Sequence, residues 1–273
     1  MIKKYKLGFI GCGNMGRAIV QGVLASDIAS REEIAISVKT DESAGKLKEE
    51  FCCAVTTDNA EVAKDAEMIL LAVKPYQMAG VLSEIRESIS ADQIIISVIA
   101  GKSIQSIEEG LMSMEVAGKL KVVRAMPNTP AKVGEAMSAL CINARVSDTD
   151  ADRVLRVFSS FGRAQIVGED MMDVVTGVSG SSPAFIYMLM EAMADAAVKH
   201  GMPRDAAYLF VSQSVLGAAK MLRDSGLHPG ELKDAVTSPG GTTIAGVCAL
   251  EKAGLRDAMI SGIDAAIEAA RKL

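Results

Sequence analysis

The chain has no excess of positive charge, no C-x-x-C cysteine pair, only two histidines and no uncharged apolar run of membrane-spanning length. Lysine and arginine number 29 against 34 aspartate and glutamate, for a formal net charge of −5. That balance lacks the cationic surface non-specific nucleic-acid binding requires, so no nucleic-acid partner is expected. The five cysteines (Cys12, Cys52, Cys53, Cys141 and Cys248) contain no C-x-x-C pair and do not group with His200 or His228. No metal site is expected from them, and an odd set of scattered thiols fits a reducing compartment. Cys52-Cys53 is open to a redox role, although adjacent cysteines in a small apolar run are more commonly just buried. The opening Met1-Ile2-Lys3-Lys4-Tyr5-Lys6 has the outline of a signal peptide. Gly11, Gly13, Asn14 and Arg17 interrupt the would-be apolar region, so the chain reads as soluble and cytoplasmic, without a membrane partner.

What is present is a phosphate turn. Lys6-Leu7-Gly8-Phe9-Ile10 runs directly into Gly11-Cys12-Gly13-Asn14-Met15-Gly16, a G-x-G-x-x-G pattern at a strand-to-helix junction. Gly11 suits the tight turn, Gly13 lets backbone approach a pyrophosphate, and Gly16 lets the next helix lie close. That helix, expected from Met15 to Leu24, offers its amides and positive dipole end to phosphates. A plain tight turn would use the same glycines. Ile34 to Val38 follows at the distance of a βαβ unit, which favours the nucleotide reading.

Further strand-like runs are Ala54-Val55, Met68 to Val73, Ile94 to Val98 and Lys121 to Ala125, with Met137 to Ile142 and Ala164 to Val167 as edge candidates. Continuous apolar runs separated by helices predict a parallel sheet covered on both faces. The fold class is therefore α/β: an N-terminal Rossmann-type doubly wound parallel sheet over residues 1–166, then an all-helical domain over 167–273. In such sheets ligands bind beyond the carboxyl ends of the strands. Val73-Lys74-Pro75, Ala100-Gly101-Lys102 and Met126 to Pro130 lie at such ends.

In the second half Ser181 or Ser182 can cap a helix whose first turn holds Pro183, and Gly201 with Pro203 closes it. The next helix, about Arg204 to Ser225, is apolar on nearly every side and must be covered all round. Two chains packing their helical halves together would cover it; a self-contained bundle is the alternative.

Two segments there carry chemistry: Val178-Ser179-Gly180-Ser181-Ser182-Pro183-Ala184, read as a loop at a helix start, and Val236-Thr237-Ser238-Pro239-Gly240-Gly241-Thr242-Thr243. Gly240-Gly241 ahead of capping threonines leaves free N–H groups at a helix start, a cradle for a carboxylate, although a merely capped helix looks the same. Neither segment places His, Lys, Asp or Glu beside its hydroxyls, so alcohol oxidation has no obvious base. Reduction of an activated C=N bond asks only for hydride and at most one proton.

These blocks, with His228-Pro229-Gly230-Glu231-Leu232-Lys233-Asp234, resemble the Δ1-pyrroline-5-carboxylate reductase family essentially end to end. The resemblance implies NAD(P)H-dependent reduction of pyrroline-5-carboxylate to L-proline, the last step of proline biosynthesis. It implies a substrate carboxylate held by Ser238, Gly240, Gly241 and Thr242, with Thr243 on the ring nitrogen as candidate proton donor and Ser181 lining the pocket. It implies cofactor contacts from Gly11 to Gly16, from Asn59 at the adenosine ribose, and from Ala72, Lys74 and Pro75 along the cofactor. Val38 and Lys39 at the second-strand end and Val73 after the fourth strand complete the candidate cofactor residues. Ala100, Gly101 and Asn128 would lie near the nicotinamide. It also implies a homodimer through the helical domain, often assembled into decamers. Ser182 departs from the glycine many members carry.

An NAD site would place an acid at the end of the second strand. Here that strand ends Ser37-Val38-Lys39-Thr40, and the three polar groups could accept a 2′-phosphate, so NADPH is the expected cofactor with NADH the alternative. Lys39 as a simple solvated lysine also stays open. Two rival readings remain: a 3-hydroxyacid dehydrogenase-like enzyme, and a catalytically silent nucleotide sensor of the same fold. The first would use a lysine with asparagine four residues on, whereas Lys220 is followed at that spacing by Asp224.

Overall fold

Runs such as Ile94-Ile95-Ile96 have apolar side chains on both faces of a strand, so they are stable only with helices above and below. The computed structural model, which describes residues 3–113, 116 and 118–272, has that arrangement. Met1 and Ile2 of the signal-like opening lie outside the described residues. The strands are β1 (Tyr5–Ile10), β2 (Ile34–Ser37), β3 (Ala54–Thr56), β4 (Ala66–Leu71), β5 (Ile94–Ser97), β6 (Lys121–Pro127), β7 (Ala136–Ile142) and β8 (Gly162–Ile166). They form one sheet in the order β3-β2-β1-β4-β5-β6-β7-β8, the switch point lying between β1 and β4.

Alternate residues of each strand feed two separate cores. Leu7, Phe9, Ile34, Ile36, Met68, Leu70, Ile94 and Ile96 pack with Ile19, Val20, Leu47, Phe51, Val157 and Phe158. Those partners lie on the helices Asn14–Ala25, Asp41–Phe51 and Asp148–Ser159. Ile10, Ile69, Leu71 and Ile95 pack with Val62, Leu82, Ile85 and Ile107, from the helices Asn59–Asp65, Met78–Ile85 and Ile104–Gly110. Each fully buried isoleucine contributes about 1.5–3 kcal/mol of transfer free energy.

The sheet is parallel except at one pair. β7 runs antiparallel to β6, with Pro127 opposite Ser138, and β8 is parallel to β7. Residues 128–135 hold only a short 3₁₀ turn, Thr129–Val133, too little chain for a crossover that would bring β7 in parallel. β7 is also an inner strand rather than the edge strand expected, because β8 covers its far side.

The chain divides into two compact units, residues 1–180 with 267–273, and residues 181–266. This division falls later than 166/167. Met172 is buried in the sheet's second core with Val167 and Val175 against it, so this stretch packs with the strands. Ser179-Gly180-Ser181 is not a loop either: Thr176–Ser181 is a π-helical turn joining Met172–Val175 to the helix Ser182–Lys199. Ser181 has helical backbone angles and no capping bond, which removes its expected N-cap role.

In the second unit the helices Ser182–Lys199 and Arg204–Ser225 meet through Ala194, Ala207 and Val211. The small residues there leave most large ones outward: Leu209 is 68%, Phe210 65% and Met221 59% exposed in the single chain. Among the described residues no helix is long and apolar enough to cross a membrane.

Candidate functional site

The expected dinucleotide residues of the first unit come together beyond the carboxyl ends of β1, β2, β4, β5 and β6. Backbone bonds knit these ends: Gly11 N–H donates to Ser37 O at 2.9 Å, Ala72 N–H to Ile10 O at 2.9 Å, and Val98 N–H to Leu71 O at 3.1 Å. Gly11 has φ +82°, and a Cβ there would meet Val73 Cγ1 at 2.6 Å and Ala72 O at 2.9 Å. Only glycine fits that crossing. A Cβ on Gly13 would meet nothing within 4 Å, so the turn is open on the side where phosphate would approach. Gly13 precedes the helix Asn14–Ala25 and gives it no side-chain cap, leaving the amides of its first turn, including those of Asn14, Met15 and Gly16, for a ligand. A pyrophosphate fits this cradle.

Cys12 is buried within the turn, and that burial, opposed in part by Arg17, pushes its thiol up to about 12. It is an uncharged filler at neutral pH. Ala72 and Val73 are half-buried after β4, Lys74 and Pro75 are exposed, and Lys74 N–H donates to Gln77 Oε1 at 3.2 Å. Ala100 and Gly101 follow β5, Gly101 at φ +70°.

At the end of β2 the three polar groups differ. Ser37 is fully buried, and its hydroxyl donates to Asn59 Oδ1 at 2.7 Å, so it cannot reach a 2′-phosphate. Thr40 caps the helix Asp41–Phe51, accepting from Ser43 N–H at 3.3 Å and donating to Ser43 Oγ at 2.9 Å. Val38 is half-buried. Lys39 is exposed and makes no ion pair among the described residues, so of the three polar groups it alone is left unengaged. Asn59 is held from its other side by Glu84, a residue that sequence reasoning missed because 25 positions separate the two.

Asn128 is engaged with the protein rather than free. Its Nδ2 donates to Ser179 O and Oγ, and its Oδ1 accepts from Met137 N–H at 3.0 Å.

In the second unit, Gly240 (φ +68°) turns the chain into the helix Thr242–Lys252. Gly241 N–H donates to Ser238 O at 3.1 Å, and a Cβ on Gly241 would collide with Ser238 Oγ. The hydroxyls of Ser238, Thr242 and Thr243 make no hydrogen bond among the described residues, so the helix start is uncapped and open. Ser181 is half-buried at the start of the same unit. Lys220, the candidate of the hydroxyacid reading, pairs with Asp224 at 2.6 Å.

An open glycine turn on a doubly wound sheet, followed by a helical half, defines a dinucleotide-binding oxidoreductase. Family comparison agrees. Residues 6–101 match the model described as "NADP oxidoreductase coenzyme F420-dependent", and residues 169–273 match "Pyrroline-5-carboxylate reductase dimerisation". The chain is 44% identical to a pyrroline-5-carboxylate reductase of Escherichia coli (strain K12), covering 98% of each. It is 41% identical to one of Methanosarcina acetivorans, covering 100% of this chain and 99% of that one. Among solved structures, the Plasmodium falciparum pyrroline carboxylate reductase with NADP bound superposes with a TM-score of 0.85 at 31% identity, covering 100% and 99% of the two chains. The chain belongs to the pyrroline-5-carboxylate reductase family, whose members are NAD(P)-dependent oxidoreductases.

Proposed function

We propose that this chain reduces the C=N bond of 1-pyrroline-5-carboxylate with NADPH, giving L-proline. The uncapped start of the helix Thr242–Lys252 carries the reading, because the hydroxyls of Ser238, Thr242 and Thr243 are unspent and the segment 236–243 itself holds no His, Lys, Asp or Glu to serve as base for alcohol oxidation. Ser238 and Thr242, with the backbone N–H of Gly240, hold the carboxylate, while Gly241, whose N–H is spent on Ser238 O, shapes the turn instead of donating as the sequence suggests. Thr243 hydrogen-bonds the ring nitrogen and passes it a proton. Ser181 lines the pocket. When bound, NADPH supplies the hydride. Gly11 to Gly16 hold its pyrophosphate, Val38 and Asn59 its adenosine ribose, and Lys39 its 2′-phosphate. Ala72 to Pro75 flank it, and Ala100 and Gly101 stand on the nicotinamide side. Asn128 acts there by holding the backbone at Ser179.

The outward apolar residues Leu209, Phe210 and Met221 support a homodimer through the helical unit, and the family resemblance alone suggests its further assembly into a decamer. Five free cysteines are compatible with the cytoplasm. Steady-state assays with NADPH and NADH side by side test the reading. Oxidation of NADPH that depends on pyrroline-5-carboxylate, and is faster than with NADH, is expected. Dinucleotide binding without turnover, or turnover only with 3-hydroxyacids or their oxo forms, overturns it.

A further inference from the structure

Three residues distant in sequence form a chain of bonds at the end of β2. Ser37 O accepts from Gly11 N–H at 2.9 Å, which ties β2 to the glycine turn. The Ser37 hydroxyl donates to Asn59 Oδ1 at 2.7 Å, and Asn59 Nδ2 donates to Glu84 Oε2 at 2.6 Å. Glu84 stands near the end of the helix Met78–Ile85, and Asn59 opens the helix Asn59–Asp65 after its cap Asp58.

The chemistry of the three groups decides how Asn59 points. A carboxylate offers only acceptors, so the Asn59 atom facing Glu84 must be the amide nitrogen. Its oxygen then faces Ser37, whose single proton is drawn to it. One Nδ2 proton of Asn59 remains. The half-buried Asn59 side chain lies next to Ser37, and Ser37 in turn bonds the glycine turn.

We propose that Glu84 is a positioning residue for the dinucleotide: it fixes the amide sense of Asn59, so that the remaining N–H is offered as a donor to a ribose oxygen of a cofactor seated on the glycine turn. The inference rests on the cofactor reading above and adds to it a residue that touches no ligand. An exposed acid bonded to one asparagine adds little to folding stability, so its effect belongs in binding.

The test is fluorescence titration of NADPH and NADH into wild type, Glu84→Leu, Glu84→Gln, Asn59→Ala and the Asn59→Ala/Glu84→Leu double variant, alongside steady-state kinetics. Glu84→Leu is expected to weaken both dinucleotides about three- to tenfold, the loss of one well-aimed hydrogen bond. Glu84→Gln, whose Oε1 still accepts, loses less. The double variant binds no more weakly than Asn59→Ala alone, and the KM for pyrroline-5-carboxylate does not rise with the KM for NADPH. Unchanged binding by Glu84→Leu overturns the inference, as do losses that add in the double variant. Tighter NADPH binding also overturns it, since that is the sign of a carboxylate merely repelling phosphate. Wild type that binds neither dinucleotide overturns the cofactor reading and this inference together, whereas wild-type binding with unaltered variants overturns this inference alone.

Discussion

The side-chain amide of Asn128 donates to both the carbonyl and the hydroxyl of Ser179, at 3.1 and 3.2 Å, from 51 residues away. Ser179 lies in the π-helical turn Thr176–Ser181, where the wide backbone leaves polar groups that an α-helix would have paired. Asn128 supplies that partner while its oxygen holds Met137 N–H. Asn128→Ala is expected to destabilise the fold by about 1–3 kcal/mol, the cost of leaving such groups unmet. Asn128→Asp keeps the acceptor for Met137 but sets a carboxylate oxygen against the Ser179 carbonyl, so its loss in stability is at least as large and its loss in turnover similar. Urea unfolding and steady-state rates measure the two effects. An unaltered unfolding midpoint in Asn128→Ala removes the structural role.

Thr243→Val deletes the proposed proton donor and keeps the shape. Turnover at saturating substrate should fall about 100-fold, the lower range for a positioned acid. A fall smaller than about twofold assigns the proton to water.

Lys39→Ala should raise the KM for NADPH about tenfold, one charge-assisted phosphate contact, and leave the KM for NADH within about twofold. Equal KM values for wild type and variant with both dinucleotides make Lys39 a solvated surface residue.

Cys12 gives a pH prediction. Burial raises its thiol from the ordinary 9.0 to about 12, so the folded state holds this proton more tightly than the unfolded chain does. The resulting stability is fully present below pH 9 and is lost as pH rises towards 12. Thermal midpoints should fall over that alkaline window, and less so in Cys12→Ala. Iodoacetamide at neutral pH should label the exposed Cys52 well before Cys12. Equal labelling rates contradict the buried, protonated thiol.

The strands β1, β2, β4 and β5 were legible because each carries one simple signal, a short apolar run ending at a turn. Ile94–Ser97 begins where the sequence places it, and Tyr5–Ile10 delivers the chain to Gly11 as the glycine spacing requires. The reversal of β7 was not read, since apolar content is the same in either direction and only the short link decides. The segment around Ser179 was misread for a related reason. Serine, glycine and proline favour loops locally, but Asn128 gives the wide helical turn a partner that local sequence does not contain. The turn Ser238–Thr243 at the start of the helix Thr242–Lys252 was visible because its glycines and hydroxyls are contiguous. Glu84 was invisible because nothing near it in sequence marks it as Asn59's acceptor.

Ser37 has a consequence for redesigning the cofactor preference of this enzyme. The usual route to an NADH enzyme writes an acid at the end of the second strand, and because β2 ends at Ser37 that invites Ser37→Asp. At a position with no solvent exposure the new carboxylate would be buried without a cation, at a cost of several kcal/mol, and Asn59 would lose its donor. Such a variant should unfold earlier before it switches anything, a result that differential scanning fluorimetry would show at once. The accessible route runs two residues further on, through Lys39, where a charge can be reversed in solvent without disturbing the bond that holds Gly11.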